Sequence, residues 1–205
     1  MDKASILLIS GGVESVTLLF QLVEAGEQVQ ALFVDYAQRA AKQERAAADT
    51  NCAHLGVELV PLDLASVGET FRNVQARKAH IPLPHRNLVA LALGLSYAAN
   101  LGSTRLYLAA NGDDTTAYPS SSHPFLAQFR LMMGLLGDVQ LLTPFIGLTK
   151  SEVVDRGVQL GVDYETTYSC MLGYGNHCGR CPQCVKRKAA FRDAGVDEPP
   201  DFYRS

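Results

Sequence analysis

Short apolar runs alternate with stretches of helical periodicity along most of this chain. Ser5 to Ile9 predicts a buried strand, and Val16, Leu19, Phe20 and Val23 then mark one face of a helix that Gly26 ends. Val29 to Val34 predicts a second strand, followed by a charged helix from about Ala40 to Leu55 and a third strand from Glu58 to Leu62. Residues 64–85 are polar and broken by Pro82 and Pro84, which predicts a long loop of the kind that is usually functional. A helix is expected from Asn87 to Leu101, a strand from Arg105 to Ala109, and an irregular stretch from Asn111 to Pro124. An apolar helix from about Phe125 to Leu136, a short strand from Gln140 to Leu142 and a helix from Lys150 to Leu160 complete the pattern.

This β-α-β-α-β alternation predicts an α/β fold, a mostly parallel sheet with helices on both faces. Such sheets bind ligands beyond the carboxyl ends of their strands, where the chain reverses its direction across the sheet. The loops after Ile9, Val34 and Ala109 fall at those ends. Without an internal repeat or a linker, residues 1–205 are expected to form one domain.

Composition narrows the picture. With 47% hydrophobic and 19% charged residues, the chain has the balance of a folded protein. A formal charge of −3 gives no global pull toward nucleic acid or anionic membranes, so neither is an expected partner. Arg180, Lys186, Arg187, Lys188 and Arg192 make one cationic stretch, readable as a solvated helix face or as a binding surface. The apolar run before Ser10 is much shorter than the about 20 residues a bilayer span needs, and a cytoplasmic location is expected.

Two motifs carry chemistry. The first, Ile9-Ser10-Gly11-Gly12-Val13-Glu14-Ser15, is a strand passing through a glycine–serine turn into a helix. Glycines let backbone N–H groups approach an anion, and the helix N-terminus adds partial positive charge. The loop lacks the Lys-Ser/Thr of a Walker A motif and the third glycine of a dinucleotide fingerprint. An ordinary tight turn capped by Ser10 is the plain alternative. The loop resembles the Ser-Gly-Gly-x-Asp-Ser loop of the ATP pyrophosphatases, with Glu14 at the acidic position.

The second motif is Cys170, Cys178, Cys181 and Cys184, spaced C-x7-C-x2-C-x2-C within a glycine-rich segment. Four thiolates suit a closed tetrahedral Zn²⁺ site with a structural role, in a zinc-binding region of about residues 168–195. An iron–sulfur cluster is the competing reading. His177 is a spare ligand, and Cys52 reads as a small buried hydrophobe.

Together the motifs resemble those of the QueC family, the 7-cyano-7-deazaguanine synthases. Tyr168-Ser169-Cys170, His177-Cys178-Gly179-Arg180-Cys181-Pro182-Gln183-Cys184 and the run from Arg187 to Asp197 carry the resemblance at the C-terminus. Asp35-Tyr36-Ala37-Gln38-Arg39 is similar to that family's Asp-Tyr-Gly-Gln-Arg, with Ala37 in place of glycine. Pro84-His85-Arg86-Asn87, Thr143-Pro144 and Lys150-Ser151-Glu152 extend the likeness over nearly the whole chain.

The resemblance implies an adenine nucleotide alpha hydrolase-like fold of the HUP type and an ATP- and Mg²⁺-dependent ligase acting on 7-carboxy-7-deazaguanine. It also implies a homodimer. The family adenylates the carboxylate, forms an amide with ammonia and dehydrates the amide to a nitrile with a second ATP. Ile9, Ser10, Gly11, Gly12, Val13, Glu14, Ser15 and Asp35 are the implied cofactor-binding residues. Lys150, Arg86 and Ser15 are the implied catalytic residues. Tyr36, Gln38, Arg39, Asn87, Asn111, Asp113 and Tyr118 are the implied substrate-binding ones. Plain alternatives stand for three of these: an exposed helix residue for Lys150, a surface ion pair for Arg86 and a turn for Asp35.

One segment departs from the pattern. Where nitrile synthases carry Ser-Gly-Tyr-Pro-Asp-Cys-Arg, this chain has Thr116-Ala117-Tyr118-Pro119-Ser120-Ser121-Ser122. A guanine-like edge is best read by a carboxylate, a role left here to Asp113 or Asp114. A paralogue that transfers the acyl group to a protein amine is therefore a second reading; such paralogues are associated with antiviral defence. A non-catalytic binding module stapled by zinc is a third.

Overall fold

The computed structural model describes residues 3–74 and 83–204. Five parallel strands form one sheet in the order β3-β2-β1-β4-β5: β1 (Ser5–Leu8), β2 (Val29–Asp35), β3 (Glu58–Asp63), β4 (Arg105–Leu108) and β5 (Gln140–Leu142). The chain lays down β1, β2 and β3 toward one edge and then returns to the other side of β1 for β4 and β5. That reversal opens a crevice beyond the carboxyl ends of β1 and β4.

Alternation along β1 divides the core in two. Ile6 and Leu8 face a layer formed by α4 (Arg86–Leu101) and α6 (His123–Gly134), through Leu91, Leu95, Leu126 and Phe129. Leu7 and Ile9 face α1 (Val13–Glu24), α2 (Ala41–His54) and α7 (Lys150–Gln159), through Leu18, Leu19, Ala48 and Val153. Cys52 lies in this second layer, 1% exposed, where burial pushes its thiol up to about 12. A third cluster joins α1 and α7 to α8 (Pro182–Asp193) through Val16, Phe20, Val154 and Phe191. Among the described residues no helix is long and apolar enough to cross a membrane.

The segment expected to be a loop over 64–85 begins with a helix, α3 (Ala65–Val74). Val67, Phe71 and Val74 are spaced i, i+4 and i+7 along it, a helical period that the loop expectation passes over because of the polar residues around it and the prolines that follow, and Val67 and Phe71 stay exposed. Its seat is backbone packing: Gly68 lies against the Tyr36 carbonyl, and Arg72 donates to the Ala37 carbonyl. Residues 75–82, including Pro82, lie outside the described residues. The stretch expected to be irregular over Asn111–Pro124 contains α5 (Gly112–Ala117) and a 3₁₀ turn, Pro119–Ser121. Asn111 and Ser122 cap α5 and α6, accepting from the backbone N–H groups of Asp114 and Phe125.

Candidate active site and metal centre

The glycine loop is built as a helix N-terminus without a side-chain cap. Gly12 occupies the cap position of α1 and makes no side-chain cap bond. Ser15 Oγ donates to the Gly12 carbonyl at 3.2 Å and accepts from Ser10 N–H at 3.2 Å, which closes the turn. Gly11 is left-handed, at φ 72°, and lies against the backbone of α2 at Glu44 and Ala48, where a β-carbon has no room. The Gly11 carbonyl accepts from Tyr168 N–H at 2.8 Å, which ties the loop to the cysteine segment.

Beside this loop lies a cavity of about 250 Å³ at the carboxyl ends of β1, β2 and β4. Ile9, Ser10, Gly12, Glu14, Ser15, Tyr36, Gln38, Arg86, Asn87, Tyr118 and Lys150, all among the site residues that the resemblance implies, are in its walls. Lys150, at the first position of α7, is buried and donates from Nζ to Glu14 Oε1 at 2.6 Å. The plain reading of Lys150 as an exposed helix residue therefore fails. Asn111, 1% exposed, donates from Nδ2 to the same Glu14 oxygen at 3.0 Å. Burial alone would raise the Glu14 carboxyl, but the Lys150 ammonium and its hydrogen bond outweigh it and hold the group below the ordinary carboxylate range.

Other predicted residues support this cavity from behind. Gly11 and Val13 are buried against α2 and the third cluster. Asp35 Oδ1 accepts from Ala37 N–H at 2.9 Å, the turn that was its plain alternative. Arg39 is exposed, with its guanidinium 5.8 Å from the centre of the Tyr174 ring. At the start of α7, whose cap is Thr149 in a capping box with Glu152, Asp113 accepts from the Lys150 backbone N–H at 3.2 Å. Its neighbour Asp114 is the acid in the cavity wall, and its carboxyl is raised first by burial and then by the nearby charge of Glu14. Arg86 stands over the Tyr118 ring at 5.1 Å, and Tyr118 accepts from Gln183 Nε2 at 2.9 Å.

Glu44, Ser121, Ser169, Met171 and Gln183 also line the cavity, and the sequence reading does not assign them there. Gln183 sits inside the cysteine motif, so its spacing was visible while its direction was not. Glu44 lies on a helix whose charged composition reads as a solvated face.

The four cysteines are all buried, with sulfurs within 4.8 Å of one another and Cys178 Sγ 3.9 Å from Cys184 Sγ. A tetrahedral ion with metal–sulfur bonds of about 2.3 Å would space its ligands by roughly 3.8 Å. Backbone N–H groups of Cys178, Cys181 and Cys184 donate to the sulfurs of Cys170, Cys178 and Cys181 at 3.4, 3.2 and 3.5 Å. Such donors favour thiolates over thiols. The donor set therefore fits a metal ion. His177 is outside it: its Nε2 accepts from Ser169 N–H at 2.9 Å and its ring stacks on Phe202.

This arrangement has known relatives. A model of the queuosine biosynthesis protein QueC matches residues 4–195. The chain is 34% identical over 214 residues to a 7-cyano-7-deazaguanine synthase of Methanoregula boonei, covering 97% of this chain and 98% of that one. It is 32% identical over 198 residues to 7-cyano-7-deazaguanine synthase 1 of Sulfurisphaera tokodaii, covering 97% of each. Among solved structures, the U34-tRNA thiolase NcsA of Methanococcus maripaludis, described with its [4Fe-4S] cluster, superposes with a TM-score of 0.58 at 15% identity. It covers 95% of this chain and 68% of that one. NMN synthetase of Francisella tularensis superposes with a TM-score of 0.55 at 15% identity, covering 97% and 80%. At these identities the superpositions speak to the fold, which is the adenine nucleotide alpha hydrolase-like one. The sequence matches and the paired glycine and cysteine motifs say more: this chain belongs to the QueC family.

Proposed function

We propose that this chain activates 7-carboxy-7-deazaguanine with ATP as an acyl-adenylate and passes the acyl carbon to a nitrogen nucleophile. Family membership and curated relatives named 7-cyano-7-deazaguanine synthase support this activity. The observation that carries it is the meeting of an uncapped helix N-terminus with the buried Lys150 in one cavity wall. In adenylation, a carboxylate oxygen attacks the α-phosphorus and pyrophosphate leaves. The free N–H groups at the start of α1, with Ser10 and Ser15, suit the leaving pyrophosphate. Lys150 and Arg86 would neutralise charge that grows as the bond breaks. An amine then attacks the acyl carbon and AMP leaves. With ammonia as the amine, a second adenylation at the amide oxygen and loss of AMP would give the nitrile.

Mg²⁺ would supply further neutralisation of the phosphates. Glu14 and Asp114, the carboxylates of the cavity wall beside the glycine loop and Lys150, are the residues that would hold it. At the cysteines the donor set supports Zn²⁺, because four sulfurs this close suit one ion better than a larger cluster. Its role would be structural, holding Ser169, Met171 and Gln183 in the cavity wall.

The serines at 120–122 favour a second acceptor, a protein amine, because the acid, thiol and arginine of the nitrile synthases are missing there. One experiment separates the readings. The protein is incubated with ATP, Mg²⁺, ammonium and the acid, and products are identified by mass spectrometry. AMP with the nitrile is the result expected from the activity of the family. AMP with arrest at the adenylate or amide points to the other acceptor. No AMP would sink the proposal and leave a binding module.

A further inference from the structure

Glu44 stands on the first turn of α2, in the cavity wall, and belongs to none of the family motifs quoted above. One side-chain contact fixes it: Gln38 Nε2 donates to Glu44 Oε2 at 3.0 Å. Gln38 is itself fully committed. It is buried, its carbonyl accepts from Tyr36 N–H at 2.9 Å, and its amide also donates to the Val34 carbonyl at 3.3 Å. The amide can therefore not turn away, and Gln38 is a holder of Glu44 more than a ligand contact. No described residue donates to Glu44 Oε1, and no described cation pairs with the carboxylate. Burial raises the Glu44 carboxyl, and the Gln38 bond and the Arg86 charge only partly oppose this. A carboxylate so placed needs donors from whatever fills the cavity.

The two bases that would enter the cavity differ in what they offer. The adenine of ATP presents a donor beside an acceptor on its Watson–Crick edge. A deazaguanine presents two adjacent donors, the ring N–H and the exocyclic amino group. A carboxylate accepts at both oxygens and matches the second pattern. We propose that Glu44 recognises the deazapurine, accepting from the ring N–H and the amino group of its guanine-like edge. This takes the place of Asp113, which the structure commits to the backbone of α7. It rests on the proposed function, and it makes Glu44 a specificity-determining residue for that substrate.

The test measures binding of 7-carboxy-7-deazaguanine, of its analogue lacking the 2-amino group, and of ATP by calorimetry. Wild-type protein is expected to bind the full acid at least tenfold more tightly than the analogue, as a site with a buried acceptor rejects a ligand lacking the donor. Glu44→Gln is expected to bring the two affinities within about threefold of each other, leaving ATP affinity unchanged. Glu44→Asp, which keeps the charge, is expected to retain part of the discrimination. Wild-type protein that binds both acids equally overturns the inference without any variant. So does a Glu44→Gln protein that still discriminates, or one whose loss is in ATP affinity, which would put adenine against Glu44. Failure of wild-type protein to bind either acid removes the proposed function, and this inference with it.

Discussion

Two buried ion pairs of equal length divide this molecule by purpose. Lys150–Glu14 lies in the cavity wall and Arg187–Glu198 lies between α8 and the C-terminal tail, each at 2.6 Å. Every nitrogen of Arg187 is bonded, with four of its five N–H donors in use. Besides Glu198 it donates to Thr167 Oγ1, Ser169 Oγ and the Tyr164 carbonyl, and its guanidinium packs against the rings of Phe191 and Phe202 at 4.7 and 4.5 Å. Its side chain is 0% exposed. Lys150 has Glu14 as its side-chain acceptor among the described residues, and an ammonium carries three donors. A cation with every nitrogen bonded holds a fold together. One with spare donors at a cavity wall is available to a ligand.

The largest expected effect breaks the Arg187–Glu198 pair. Arg187→Met removes the cation of the pair, leaving the Glu198 charge with the Tyr203 hydroxyl alone and taking a donor from Thr167, Ser169 and the Tyr164 carbonyl. It should cost about 3–5 kcal/mol in stability by denaturant unfolding. The double variant Arg187→Met, Glu198→Gln should recover part of that loss. An unchanged midpoint in the single variant would show that the tail is not clamped in this way.

Lys150→Met should behave differently. Glu14 can draw water from the cavity, so the stability loss should be clearly smaller than at Arg187. Adenylation, followed by pyrophosphate exchange, should fall by about 10²–10³-fold, the size typical of losing a group that stabilises transition-state charge. A variant that loses stability but keeps its exchange rate would assign Lys150 to structure and erase the contrast.

Acid sharpens the same comparison. Glu14 is held below its ordinary carboxylate range, so it binds its proton less readily folded than unfolded. Its contribution is present above the ordinary range, near the reference value of 4.5, and is lost as pH falls through the depressed folded value. Unfolding midpoints measured from pH 6 downward should fall more steeply in the wild type than in Glu14→Gln. Equal slopes would mean that Lys150 does not hold the Glu14 charge. Smallest of all is the backbone of the β2–α2 turn. Ala37 sits at φ 60°, a left-handed conformation that disfavours a β-carbon. Ala37→Gly should gain about 0.5–1 kcal/mol, set against the greater unfolded-state freedom of glycine. No gain would show that the α3 contacts to Tyr36 and Ala37 already absorb the strain.

The order of strands and helices was legible because each element writes its own period into a short window. The sequence-predicted strands and helices match the structure to within a few residues; the exceptions are α3, whose Val67, Phe71 and Val74 spacing is short and lies beside the prolines at 82 and 84, and α5, a six-residue helix with no buried residue to leave a period. The glycine loop and the cysteine set were legible for a related reason. Their chemistry is carried by residue types at fixed local spacing, and the folded chain brings all four cysteines together.

Residues whose meaning depends on a distant partner were not legible. The cationic stretch from Arg180 to Arg192 offered a solvated face or a binding surface, and Arg187 is neither, because its acceptors come from residues 164, 167, 169 and 198. Lys150 finds Glu14 across 136 residues, and that pairing is what buries it. Asp113 and Asp114 are neighbours in sequence, yet helix geometry turns one to the backbone of α7 and the other to the cavity. Glu44 looked like solvent-facing charge until α2 was seated against Gly11. Local patterning therefore determined the sheet, the glycine loop and the cluster of four cysteines in this protein. The burial of each charge, and so which acids and cations face the cavity, was decided by tertiary structure, since desolvation and pairing exist only between elements already packed together.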